Sequence, residues 1–163
     1  MNRRPTTGLD PFQFRAQVVE PALGKLGLPG GEAAIRLVLG TAVQESNLRK
    51  LRQDPSGPAR GVFQVEPATL QDCYDNFLNF RPDLLAKVDS FLAPWPDKTA
   101  QLATNLIYAA AICRIVYRRA PDPLPAADDL DGLGKYWDRF YNKNDRVGTP
   151  AEFVSNYRSF IGG

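Results

Sequence analysis

The chain contains no histidine and only two cysteines. The first absence excludes Ser-His-Asp and Cys-His catalysis and every metal site that needs an imidazole ligand. Proton transfer must therefore fall to Asp, Glu, Lys, Tyr or Cys. Cys73 and Cys113 stand far apart with no Cys-x-x-Cys spacing, so they read as buried free thiols rather than as a redox pair or a disulfide framework. Long apolar runs are missing as well: nothing approaches the ~20 residues that span a bilayer. The start, Met1 to Thr7, is basic but is followed by no apolar stretch, so no secretory signal is expected. Strong charge of one sign is also absent. The formal net charge is +2, too mild to point to nucleic acid.

What is present suits one compact domain. A length of 163 residues with 44% hydrophobic residues supports a proper core without metal or disulfide staples. Residues 1–9 read as a flexible tail and 10–163 as the domain. Asp10-Pro11 with Gln13 opens a helix that runs toward Leu26, with a bend expected at Pro21. A second helix is expected over about 32–46, where Ile35, Val38, Leu39 and Ala42 form one stripe. Residues 47–60 form a polar loop with Pro55, Gly57 and Pro58. A third helix opens at Glu66 or Pro67, and a short fourth covers about 82–91. The strongest helical pattern covers 97–119. Ala103 to Val116 is apolar on nearly all sides, as in the buried central helix of a domain. Two further amphipathic helices follow, over 130–141 and after the capping box Thr149-Pro150-Ala151-Glu152. The chain is thus expected to be mainly α, a single helical domain with a long buried central helix and at most a small hairpin near 56–66.

The stripe of the second helix continues by three and four residues to Glu45 and Ser46. Glu45 therefore stands at the buried side, or its edge, of a helix C-terminus. Desolvation disfavours a carboxylate there, and so does the negative end of the helix dipole. Such a position favours the protonated form that a general acid requires. A Glu that merely ends a solvated helix is the plainer reading of Glu45 alone; its core-facing register argues against that. The loop adds Gly61, which permits backbone conformations closed to other residues, and Phe63, which can anchor the turn. It also adds Gln64, whose amide both donates and accepts and so suits sugar hydroxyls and acetamido groups.

Glu45-Ser46, then Gly61-x-Phe63-Gln64, then Pro67-x-Thr69 resembles the Glu-Ser, Gly-Leu-Met-Gln, Pro-x-Thr pattern of the soluble-type lytic transglycosylases. These share the lysozyme-like fold with goose-type lysozymes. Asn105-Leu106-Ile107 to Tyr117 resembles that family's long central helix, and Phe140-Tyr141-Asn142 its Ala-Tyr-Asn motif. The similarity spans about Gly31 to Asn142. Phe63 stands where the family has Met and Phe140 where it has Ala, and the central helix lacks the family's Gly. The segment from Gly148 to Gly163 resembles C-terminal segments of phage-encoded proteins.

The resemblance implies cleavage of the β-1,4 bond between N-acetylmuramic acid and N-acetylglucosamine in peptidoglycan. Glu45 is then the single acid and base, and the products carry 1,6-anhydromuramic ends. Ser46, Phe63, Gln64, Tyr141 and Asn142 are the expected substrate contacts, with no metal and no cofactor. The expected partners are glycan strands and, for delivery, virion or secretion-apparatus proteins. The protein would be made in the cytoplasm and act in the periplasm or cell wall. Nucleic-acid binding and membrane insertion are not expected: Arg49, Lys50, Arg52 and Arg60 form a basic patch without interleaved aromatics. Two other readings stay open. One is a non-catalytic lysozyme-like module of an assembly. The other is a hydrolytic muramidase, which ordinarily needs a second carboxylate; Asp54, Glu66 and Asp72 are the candidates. Of the aromatic residues that could stack on sugar, Trp137 and Tyr136 read as core and Tyr141 as the better cleft candidate, with Trp95 outside any helix.

Overall fold

A computed structural model describes residues 8–143 and 147–162; the expected tail lies almost wholly outside them. Asp10 starts the first helix, its carboxylate accepting the N–H groups of Phe12 and Gln13 at 2.9 Å. This helix, α1, begins as Pro11–Phe14, widens into a π-helical turn at Arg15–Val19, and continues as Glu20–Leu26. The wide turn directly precedes Pro21, whose ring and missing N–H are incompatible with a regular α-helical ladder. Gly27 closes α1 in the left-handed conformation, φ 65°.

The remaining helices are α2 (Gly31–Ser46), α3 (Pro67–Asn76), α4 (Pro82–Asp89), α5 (Lys98–Thr104), α6 (Leu106–Arg118), α7 (Leu130–Phe140) and α8 (Pro150–Phe160), with a 3-10 turn at Leu78–Phe80. Among the described residues the protein is an all-α single domain of eight helices with no strand. The hairpin region is reduced to two isolated bridges, Arg52 with Arg60 and Arg60 with Val65. No single described helix is long and apolar enough to cross a membrane.

The long central helix expected over 97–119 is not continuous. It breaks at Asn105 into α5 and α6, which meet at 109°. Asn105 has extended backbone, φ −121° and ψ 92°. Its side-chain oxygen accepts the Tyr108 N–H at 3.0 Å, and its amide donates to the Phe91 carbonyl at 2.9 Å and to Gln101 at 3.0 Å. Asn competes for backbone groups in this way, so it favours a cap over a helix interior. The apolar run around it does not reveal this. The buried helix is thus α6 alone, in which every residue from Tyr108 to Ile115, and also Tyr117, is buried.

α2 lies against α8, where Gly40 is required for close approach: a Cβ there would come within 2.5 Å of Phe153. Thr41, fully buried in α2, bonds the Leu37 carbonyl at 2.7 Å and the Tyr117 hydroxyl at 2.6 Å, tying α2 to α6. The Thr149–Glu152 capping box forms and starts α8. At the other face Arg15 grips the Glu32 carboxylate with both guanidinium nitrogens, at 2.8 and 2.7 Å, joining α1 to α2. Cys73 and Cys113 are both buried free thiols.

Candidate active site

Glu45 occupies the last turn of α2 and is half-buried. The indole N–H of Trp137, in α7, donates to its Oε1 at 3.0 Å. Trp137 is itself 1% exposed and stacks on Phe153 at 5.7 Å, so the donor is held rigidly by the core. A buried indole N–H needs a polar partner, and Glu45 supplies it across 92 residues of sequence.

The loop after α2 is stitched to that helix end. Asn47 and Leu48 both have left-handed backbone, φ 51° and 56°, which turns the chain sharply. The Ser46 hydroxyl shares its one proton between the Val62 carbonyl at 2.7 Å and the Ala42 carbonyl at 3.0 Å, and accepts the Leu48 N–H at 3.1 Å. Ser46 is 3% exposed. It is a tie between helix and loop, not the substrate contact expected from sequence.

Phe63 is corrected in the same way. Its side chain is fully buried and packs against Phe14 at 5.9 Å. Burying a side chain of that size stabilises the fold by roughly 1.5–3 kcal/mol. Its contribution to the site is its carbonyl, which accepts the Tyr141 hydroxyl at 2.6 Å.

Gly61 sets the turn, with φ 75°. A Cβ at this position would lie 1.8 Å from the Leu102 carbonyl oxygen. Loop and helix backbone therefore touch where α5 approaches its break at Asn105. Gln64 follows with φ 50°. Its side-chain Nε2 turns back to the Gly61 carbonyl at 2.9 Å, and its side chain faces the same cavity as Glu45.

Glu45 lines two adjoining depressions, and a third shares wall residues with the first of them. The middle one is a waist of about 60 Å³ lined by Glu45, Gln64, Glu66, Thr69, Tyr141 and Asn142, among others. Through Glu45, Gln64 and Asn142 it joins an arm of about 320 Å³ that reaches Lys50, Asp54 and Glu152. Through Thr69, Val116 and Tyr141 it joins a second arm of about 560 Å³ that reaches Asp72, Arg119, Arg139 and Lys143. The waist at Glu45 thus shares walls with a larger depression on either side.

Of the expected site residues, Glu45, Gln64, Tyr141 and Asn142 line the waist, whereas Ser46 and Phe63 lie in the wall behind it. Tyr141 is half-buried as a residue. It lines the cavity, while its hydroxyl is bonded to the Phe63 carbonyl. Burial first, then the neighbouring Cys113 and Glu45, pushes that phenol well above its ordinary range, so it stays neutral. Its ring stacks on Tyr117 at 5.2 Å. Asn142 donates to Asp138 at 3.1 Å.

The three candidate second carboxylates all face the groove. Glu66, the residue before α3, lines the waist itself. Asp54 is exposed and paired with Lys50 at 2.8 Å. Asp72 is paired with Arg119; the Asn76 amide, and then Arg119, hold its carboxyl below the usual range. No group of three or more His, Cys, Asp or Glu among the described residues could hold a metal ion.

Sequence reasoning passed over Trp137 as a site residue, although it was rightly placed in the core. The available signal was its position one helical turn before Tyr141 on the same face, together with the need of any buried indole for a partner. Arg119, Arg139 and Lys143 were not grouped at all, because they come from two helix ends that only the fold brings together. The chain matches no protein-family model, no curated protein and no solved structure.

Proposed function

We propose that this protein is a lytic transglycosylase that cleaves the MurNAc-β-1,4-GlcNAc bond of peptidoglycan with Glu45 as its single acid and base. The observation that carries the reading is the setting of Glu45. It is a half-buried carboxyl in the last turn of α2, oriented by the Trp137 indole, at a waist that shares walls with a larger depression on either side. A closed pocket suits a small molecule; an extended groove with one oriented acid at its waist suits attack within a polymer.

In this mechanism the Glu45 carboxyl gives its proton to the bridging oxygen as the bond from muramyl C1 to that oxygen breaks. The resulting carboxylate then takes the proton of the muramyl 6-hydroxyl as O6 bonds to C1. Glu45 is returned protonated, and no water is consumed. The internal hydroxyl is held near C1 by the sugar itself, so proximity replaces the second carboxylate that hydrolysis ordinarily uses. Gln64 is the waist amide that meets the acetamido and hydroxyl groups, and the buried Asn142, bonded to Asp138, backs it.

Mass spectrometry of the products from purified peptidoglycan tests the reading. Transglycosylation gives 1,6-anhydromuramic ends, lighter by one water than reducing ends. One observation favours hydrolysis as the second reading: Glu66 lines the same waist as Glu45. Reducing ends alone, lost in Glu66→Gln, would establish that reading instead. Intact glycan together with retained wall binding would leave a non-catalytic module.

A further inference from the structure

The two arms of the groove differ in charge. Among the described residues, the arm beyond Gln64 is lined by Glu45, Asp54 and Glu152 against the cation Lys50. Among the described residues, the arm beyond Tyr141 is lined by Arg119, Arg139 and Lys143 against the anion Asp72. Arg119 is the fixed member of this set. One guanidinium nitrogen meets the Asp72 carboxylate and the other donates to the Cys73 sulfur at 3.1 Å. Arg139 stands at the rim, paired with Asp122 at 2.5 Å, with a side chain 66% exposed. Lys143 is exposed and close enough to Asp72 to help hold its carboxyl in the ionised form. Arg119 and Asp72 neutralise one another, Asp122 offsets Arg139 at the rim, and Lys143 remains to tip the arm to a net positive charge.

We propose that this basic arm recognises the carboxylates of the peptide stems carried by the muramyl residues of the glycan. The inference rests on reading the groove as a glycan site, and it adds what the Glu45 waist does not supply: a preference for stem-bearing, anionic strands and a polarity for their entry. A glycan backbone is chemically similar along its length. The charge lies on the stems, so a groove with a positive and a negative arm can hold a strand in one register. Arg139 and Lys143 are exposed, so their attraction acts through solvent and is screened by salt.

The test compares sacculi with native stems and sacculi whose stem carboxylates have been converted to methylamides with carbodiimide and methylamine. These substrates differ in charge and not in glycan. The wild-type protein should release soluble product from native sacculi about three- to tenfold faster, given ~0.2–1 kcal/mol for each exposed charge pair. That ratio should fall toward one in the Arg139→Gln/Lys143→Gln double variant and in ~0.5 M salt. Lys143→Gln alone, at an exposed position, gives the intermediate ratio if the double variant folds poorly. Equal wild-type rates on the two substrates, or an unchanged ratio in the variants, would overturn the proposal. If neither substrate is cleaved, the enzymatic reading fails separately. Co-sedimentation with native against amidated sacculi then still decides whether the arm binds stem carboxylates.

Discussion

The waist of the groove and its basic arm are built by different means. On the side of Glu45 the wall is fixed through backbone: Ser46 bonds the Val62 carbonyl, Gly61 abuts the Leu102 carbonyl, and Tyr141 bonds the Phe63 carbonyl. On the side of Arg119 the wall is side chain against side chain, through the pairs Arg119–Asp72 and Arg139–Asp122. Backbone contacts hold a group in place to within tenths of an ångström, which is what a proton transfer needs. Exposed ion pairs hold geometry loosely but project a field, which serves attraction and orientation of a charged polymer. Under the proposed function, chemistry belongs to the first wall and recognition to the second. Damage to the first should then cost far more than damage to the second.

The largest effect should come from the carboxyl group itself. Glu45→Gln keeps the shape of the side chain and an acceptor for the Trp137 indole, but it cannot give a proton. Turnover of peptidoglycan should fall by about 10²–10⁴-fold, with the melting temperature close to wild type. Wild-type turnover in that variant would remove Glu45 from the chemistry. It would also remove the contrast between the walls.

Next comes the turn that shapes the wall. Gly61→Ala places a methyl group where the Leu102 carbonyl already sits, at a φ of 75° that alanine avoids. Both terms act together, and the cost should be at least about 2 kcal/mol, read as a lower urea midpoint. An unchanged midpoint would mean that the loop shifts without penalty, and so that the backbone wall is not rigid.

Trp137→Phe sharpens the comparison further, because it removes one N–H while keeping an aromatic ring on Phe153. A hydrogen bond to the neutral acid contributes ~0.5–1.5 kcal/mol. Loss of the orienting bond should therefore lower kcat on soluble glycan strands by about two- to tenfold, with KM nearly unchanged. A general loss of packing would instead lower the urea midpoint and leave the kcat of the folded fraction intact.

Much of this organisation was legible in the residues. The stripe from Ile35 to Ala42 carried α2 to Glu45, Asp10 and Thr149 marked helix starts, and the spacing to Gly61 located the turn. Three kinds of feature were not legible. Asn105 sits inside an apolar run, and only the competition of its amide for the Tyr108 N–H and the Phe91 carbonyl shows that α5 and α6 part there. Ser46 and Phe63 lie next to site residues in sequence, and helical register alone did not separate the wall from its lining. The basic arm joins Arg119 at the end of α6 to Arg139 and Lys143 at the end of α7. Such a grouping is a property of packing, not of any local pattern.

The smallest effect should be on stability at acid pH, and it probes the weaker wall. Asp72 in the basic arm and Glu32 beneath Arg15 both have carboxyls held below their ordinary range. For Asp72 the Asn76 amide contributes most and Arg119 follows; for Glu32 the bidentate Arg15 leads. The native state thus binds fewer protons than the unfolded chain, and the stabilisation is fully present above the unfolded carboxyl range of ~4. It is lost as pH falls below that range and through the lower folded values. Both carboxylates are partly solvated, so the loss should be modest, read as a falling melting temperature between pH 5 and pH 3 (approximate limits set by the same carboxyl range). Asp72→Asn should make that decline shallower by removing the share of the basic arm, leaving the share of Glu32. A decline parallel to wild type would show that the Arg119–Asp72 pair adds nothing to the fold. The basic arm would then be held by the helix ends alone.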